Sequence, residues 1–157
     1  MARAPSLLAR EAPVKGSFDI LIEDGFVLSE LAGVVDVLRI ANRISQNPVF
    51  SWTYRSIAGG IVRSSGEAMV ETQPLPQRPE VDYAIVLGNA DNDALDAPLR
   101  RIMMVYKNRA TRLFLLSEAA SAYIQSTGKG NAHTTHWENR MAIAEQTDAT
   151  EWGAQLA

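Results

Sequence analysis

The chain has 157 residues, a length that suits one compact domain with a full hydrophobic core. Apolar residues make up 46% and charged residues 21%, ordinary for a soluble globular protein. The net charge of -3 lacks the basic footprint of a nucleic-acid-binding surface. Cysteine is absent, which excludes disulfides, thiolate metal sites and a cysteine nucleophile.

Residues 1–16, with two prolines and mixed charge, read as a flexible leader, and residues 17–157 as one domain. The leader has no apolar core long enough for a signal peptide, and no apolar run is long enough to span a membrane. A cytoplasmic location is the expectation.

"FDILIE" (Phe18 to Glu23) is a short apolar run ahead of Asp24-Gly25, which predicts a buried strand and a turn. "LSELAGVVDVLRIANRIS" follows, with Leu31, Val35, Leu38 and Ile44 near one helical face and Val34 and Ala41 beside it. Ser29 is the expected N-cap, and Glu30 suits the positive end of the helix dipole. "FSWTYRSIA" (Phe50 to Ala58) predicts a strand, and "IVRSS" with "AMVETQ" a hairpin around Ser65-Gly66. A proline-rich loop leads to the strand "DYAIVLG" (Asp82 to Gly88). Asp96 is placed as the cap of a helix with Pro98 in its first turn and a stripe of Leu99, Ile102, Met103 and Tyr106. "TRLFLL" (Thr111 to Leu116) predicts another strand. Ser117 caps the next helix, which stops at Gly128.

Strands alternating with amphipathic helices imply a mainly parallel sheet with helices on both faces. Such sheets bind ligands beyond the carboxyl ends of their strands. The loops Asp24–Leu28, Gly88–Asp93 and Leu116–Glu118 are expected to meet there.

Both histidines lie in "NAHTTHWENR" (Asn131 to Arg140). His133 and His136 have no third and fourth ligand at a recognisable spacing, so no metal site is expected. Ser117 occupies a strand-to-helix junction, where α/β hydrolases place a strained nucleophile. Leu116 and Glu118 flank it, and neither is the small residue that relieves strain. No G-x-G-x-x-G or Walker pattern follows a strand, and no cofactor is implied.

Three segments together resemble a known family: "DGFVLSELAGVVDVLRIANR", "WTYRSIAGGIVRSSGEAMV" and "ATRLFLLSEAASAYIQSTGKGNAHTTHWENR". They are similar to the N-terminal sensor domain of AraC-type transcriptional regulators, part of the class I glutamine amidotransferase-like superfamily with the PfpI-type proteases. The likeness spans about residues 17 to 146, and "TTHWE" is its most specific part.

The resemblance implies a flavodoxin-like three-layer α/β sandwich that senses a small-molecule effector, works as a homodimer and reaches DNA only through a C-terminal helix-turn-helix pair. That pair is absent from this chain, which also stops before the last strand and helix of a typical sensor. The effector class implied is amino-acid-like or a quaternary amine. Carried onto this sequence, the likeness places Asp24, Gly25, Asn89, Leu116, Ser117, Glu118, His136 and Trp137 around the ligand. The elbow falls at Leu116 or Ser117, and counting back from His136 puts Leu116 at the position of the enzymes' cysteine. An ungapped match puts Leu28 where some relatives carry a facing acid, with Glu30 close by. Nucleophile and acid are therefore both expected to be missing, and the protein is expected not to be an enzyme. The alternatives are a serine hydrolase using Ser117 and His136, and a purely structural dimerisation module.

Overall fold

A computed structural model describes residues 15–46, 48–89, 92–107, 109 and 111–127, with the side chains of 92–96 outside the description. His133, His136 and Trp137 lie beyond the described residues, as does Gly128.

The elements in order are β1 (Gly16–Leu21), α1 (Leu28–Ser45), β2 (Phe50–Ser56), β3 (Gly60–Arg63), β4 (Met69–Pro74), β5 (Tyr83–Val86), α2 (Asn92–Tyr106), β6 (Arg112–Leu115) and α3 (Ser117–Thr127). The strands form one sheet in the order β3-β4-β2-β1-β5-β6. β1 pairs in parallel with β2 and β5, β5 with β6, and β2 with β4. Only β3 runs against its neighbour, as the hairpin partner of β4.

Alternation along β1 sends its side chains to two different layers. Ile20 and Ile22 face α1, where they pack with Leu31, Leu38, Phe26, Val62 and Leu87. Leu21 faces α2 and α3 and joins Ala84, Val86, Leu99, Ile102, Tyr106, Ala119 and Ala122. The three-layer sandwich expected from the sequence is therefore present, with helices on both faces of a mostly parallel sheet.

One charged group is buried between the layers. Asp19 is fully buried on β1, where it accepts from Arg55 Nε at 2.6 Å and from the Tyr106 hydroxyl at 2.7 Å. The same Arg55 donates to the Pro74 carbonyl at 2.9 Å, so β1, β2, the end of β4 and α2 share one polar knot. Burial, with the Asp19 carboxylate beside it, pushes the Tyr106 hydroxyl well above the usual phenol range, so it remains a neutral donor.

Three local expectations change. Helix α1 starts one residue before Ser29: Val27 stands at the N-cap with no side-chain cap, and its carbonyl accepts from Glu30 and Leu31. A tertiary bond fixes where the chain enters the helix: Val27 N–H donates to the Gly88 carbonyl at 3.2 Å. Helix α2 starts at Asn92, which puts Pro98 inside the helix instead of in the first turn that Asp96 would have begun. The stripe Leu99, Ile102, Tyr106 is buried nonetheless, and that packing outweighs the hydrogen bond proline cannot donate. Ile44, expected on the inner face of α1, is 76% exposed. A spacing of thirteen residues from Leu31 carries it round the helix, out of the buried arc.

Candidate functional site at the carboxyl ends of β1, β5 and β6

The chain leaves β1 for α1 and β2 on one side, then returns to β5 and β6 on the other. The carboxyl ends of β1 and β5 thus flank a point where the strand order reverses, the usual place for a ligand crevice. The Asp24–Leu28 turn and the Leu116–Glu118 junction converge there with Gly88 and Asn89, the described part of the Gly88–Asp93 loop.

The first loop is a clasp. Phe26 bridges to Ser64 and to Asn89. Asn89, only 2% exposed, donates through Nδ2 to the Asp24 carbonyl at 2.5 Å. The Asp24 carboxylate accepts from Arg63 N–H at 2.8 Å. Gly25 has φ +88°, and a Cβ there would lie 2.6 Å from Asn89 Oδ1, so the turn requires glycine twice over. Asp24, Gly25 and Asn89 therefore lock the β1–α1 turn against the end of β5 and the β3–β4 hairpin.

The second cluster is the junction of β6 and α3. The left-handed residue there is Ser117, with φ +39°, and not Leu116 as counting back from His136 suggests. Leu116 continues the strand: its N–H bonds the Val86 carbonyl at 2.9 Å and its side chain packs in the α1-side core. A non-glycine residue held in this region stores about 1–3 kcal/mol. Ser117 thus occupies the bent corner that a nucleophile elbow uses.

Facing Ser117 is Glu30, from the first turn of α1. The Ser117 hydroxyl donates to Glu30 Oε1, and Gly88 N–H donates to Glu30 Oε2 at 2.8 Å. The acid that the ungapped match assigned to Leu28 is supplied two residues later. Leu28 itself is 43% exposed. Sequence reasoning assigned Glu30 to the helix dipole and noted it close to the facing-acid position, but gave it no partner on β5 or β6. The available signal was an acid in the first turn of a helix entered directly from a strand and a Gly turn.

A second carboxylate crowds the same place. Glu118 Oε2 is buried and has no hydrogen-bond partner among the described residues. It lies against Gly88: a Cβ on Gly88 would collide with Glu118 Oε2, and would come within 3.2 Å of both Glu30 Oε2 and Ser117 Cβ. Two helix N-termini, each carrying an acid in its first turn, are therefore aimed at one glycine. These acids already occupy the positive ends of the helix dipoles, where an external anion would otherwise bind.

Further along the rim, the Glu23 carboxylate accepts from Ile57 N–H at 2.6 Å. Burial raises its pKa above the ordinary carboxylate value, against the lowering effect of that hydrogen bond. Among the described residues no group of three or more His, Asp or Glu side chains is arranged to hold a metal ion.

No protein-family model matches the sequence. No curated protein matches it either. Solved structures do match in fold. An AraC family transcriptional regulator from Pseudomonas putida superposes with a TM-score of 0.63 at 20% identity, covering 85% of this chain and 73% of that one. A ThiJ/PfpI domain protein from Brachyspira murdochii gives 0.64 at 8% identity, over 87% and 78%. A DJ-1 superfamily protein from Agrobacterium tumefaciens gives 0.51 at 18% identity, over 69% and 56%. The fold read from the sequence, a PfpI-like α/β sandwich of the kind found in AraC-family regulator structures, is thus the fold this chain adopts.

Proposed function

We propose that this chain is the small-molecule-sensing and dimerising domain of an AraC-type transcriptional regulator, and that it holds its effector at the elbow without transforming it. The observation that carries this reading is the pair of carboxylates, Glu30 and Glu118, gathered around Ser117 and Gly88. Acyl transfer at Ser117 develops negative charge that needs backbone donors. Here Gly88 N–H is already taken by Glu30, and two carboxylates stand where an oxyanion would form.

The same arrangement selects a cation. An ammonium group beside Glu118 gives its unpartnered oxygen a charge-assisted bond. An amine, an amino acid bound by its amino group, or a quaternary ammonium fits that chemistry. Ser117, Glu118 and Glu30 contact the charged end in this reading. Asp24, Gly25 and Asn89 set the loop geometry and Leu116 supplies apolar wall, while His136 and Trp137, assigned to the ligand by the sequence resemblance, lie outside the described residues. DNA contact belongs to a C-terminal domain outside this chain.

A thermal-shift screen of amines, betaines and plain carboxylic acids tests this. A ligand at about a hundred times its Kd stabilises the fold by about 2.7 kcal/mol, a shift of several degrees. Cationic ligands are expected to give it, and Glu118→Gln to weaken it. Stabilisation by plain acids alone would overturn the reading.

One observation favours a second reading. The left-handed backbone of Ser117 and its bond to Glu30 are what a serine nucleophile with a carboxylate partner would show. A fluorophosphonate probe separates the two. The sensor is expected to stay unlabelled, whereas a hydrolase is labelled at Ser117 and loses the label in Ser117→Ala.

A further inference from the structure

The edge of β2 that faces β4 is closed at both ends and open in the middle. The Val49 and Arg55 carbonyls accept from Gly16 N–H and Ile22 N–H on the β1 side. Backbone groups alternate between the two sides of a strand, so those of Phe50, Trp52, Tyr54 and Ser56 point away from β1. At Phe50 the Asn42 side chain stands in for a strand: its Nδ2 donates to the Phe50 carbonyl at 2.8 Å, and Phe50 N–H donates to its Oδ1 at 2.8 Å. At the other end β4 comes into register, but only at Arg55 and Ser56. That pairing takes up the Tyr54 carbonyl and the Ser56 N–H. The Trp52 N–H and C=O and the Tyr54 N–H are left without a pairing strand among the described residues.

Towards their amino ends β2 and β4 diverge, and a cavity of about 430 Å³ opens between them, lined by Trp52, Thr53, Tyr54, Glu71, Thr72 and Gln73. Its two sides differ in chemistry. Trp52 and Tyr54 turn to the α1 side of the sheet and pack on that core, with Trp52 Nε1–H donating to the Tyr54 hydroxyl at 3.2 Å. Thr53, Glu71 and Gln73 alternate onto the other side, where Glu71 and Gln73 are exposed. Glu71 is the one charged side chain of the six, and it has no ion pair among the described residues.

We propose that this opening is a strand-addition site, which takes an extended segment of a partner protein with apolar and basic residues in alternation. Unpaired backbone groups along a strand edge are a template for another chain, and main-chain bonds give such a dock its affinity. The bound segment pairs with Trp52 and with the Tyr54 N–H. Its apolar side chains lie beside the Trp52 and Tyr54 rings, and its lysine or arginine side chains lie on the opposite face, level with Glu71. The Asn42 amide and the β2–β4 junction set the two ends, so the site reads a short stretch. Charge selects a basic segment over an acidic one, because the free carboxylate of Glu71 stands in the opening of a chain whose net charge is -3. The inference is independent of the elbow and its effector.

NMR of the isotope-labelled 157-residue chain, titrated with end-blocked hexapeptides, tests the inference. The first peptide alternates valine and lysine, the second has glutamate in place of lysine, and the third is the first with every backbone amide N-methylated. The valine–lysine peptide is expected to shift the Trp52 and Tyr54 amide signals and to slow their hydrogen exchange about fivefold or more at saturation. N-methylation is expected to weaken binding about tenfold or more, because the peptide then cannot approach the strand edge. The glutamate peptide is expected to bind about threefold to tenfold more weakly than the lysine peptide. Glu71→Arg, a change at an exposed position, is expected to reverse that order while the rest of the spectrum stays as in wild type. Binding that ignores N-methylation, or that leaves the Trp52 and Tyr54 amides unprotected, overturns strand addition. Equal binding of the two charged peptides, unchanged in Glu71→Arg, overturns the basic partner. Trp52 and Tyr54 amides already protected without peptide, in a chain that sediments as a dimer, would assign the edge to a second copy and overturn the partner protein.

Discussion

A hydrogen atom at Gly88 decides what the elbow can hold. One oxygen of the Glu118 carboxylate is buried against it with no partner among the described residues, an arrangement that costs about 1–3 kcal/mol. In Gly88→Ala the added methyl takes the place of that oxygen. The obstacle is the far end of a flexible side chain, so Glu118 swings outward and its charge regains water. Stability is expected to change by less than about 1 kcal/mol, and the sign can favour the variant. The cationic subsite is expected to disappear, which thermal shift with the strongest amine ligand would read as a lost stabilisation in a protein that melts near the wild-type temperature. Retained ligand stabilisation would show that Glu118 does not line the site. The sequence revealed this corner only in part. Ser117 stood visibly at a strand-to-helix junction, but nothing in "LLSEAA" shows which residue takes the left-handed turn. Spacing to His136 pointed one position early. Glu30 looked like a dipole acid because its partners, Gly88 and Ser117, are 58 and 87 residues away and no local pattern encodes them.

At the scale of elements, period and turn chemistry carried most of the information. The six strands, the hairpin around Ser65-Gly66 and the inward stripe of α2 follow from alternation, glycine and proline positions, and 3.6-residue spacing. Helix starts were less legible, because a start is set by whatever satisfies its free N–H groups. At α1 the loop from β1 is held by Phe26 and by the Val27–Gly88 bond, so Ser29 is not needed as a cap. The sequence also gave no hint of the knot that joins strands to helix, since Asp19 reads as an ordinary interruption of "FDILIE". Among the described residues, buried Asp19 has two side-chain partners, Arg55 and Tyr106. Removing one leaves the carboxylate short of a donor at a site water does not reach. Tyr106→Phe is therefore expected to cost about 1.5–3 kcal/mol in urea unfolding, with the slope of the transition unchanged. A cost under about 0.5 kcal/mol would mean that Arg55 alone satisfies Asp19.

For the whole molecule, the response to pH is set by carboxylates of opposite behaviour. Asp82 accepts from both the backbone N–H and the hydroxyl of Ser17, at 2.8 Å each, and these bonds hold its pKa below the usual value. It favours the folded state above its unfolded pKa near 3.8, and that contribution is lost as pH falls through the lowered folded value. Glu23 runs the other way. Burial raises its folded pKa above 4.5, so between 4.5 and the raised value the folded protein binds more protons than the unfolded chain. Stability then falls as pH rises through that window, and above it the penalty of holding a half-buried charge is fully present. The Ile57 N–H bond offsets part of the penalty and needs only an oxygen acceptor, which a glutamine retains. Glu23→Gln should therefore remove the penalty and keep the bond. Urea unfolding of wild type and variant at pH 4.5 and 7.5 should show the variant gaining on wild type as pH rises. The Asp82 contribution is common to both proteins and cancels in the difference. A difference that is flat across this range, or that grows towards acid, would mean that the carboxylate of Glu23 is better stabilised in the folded protein than its burial implies. The rim between β1 and β2 would then tolerate charge as readily as water does.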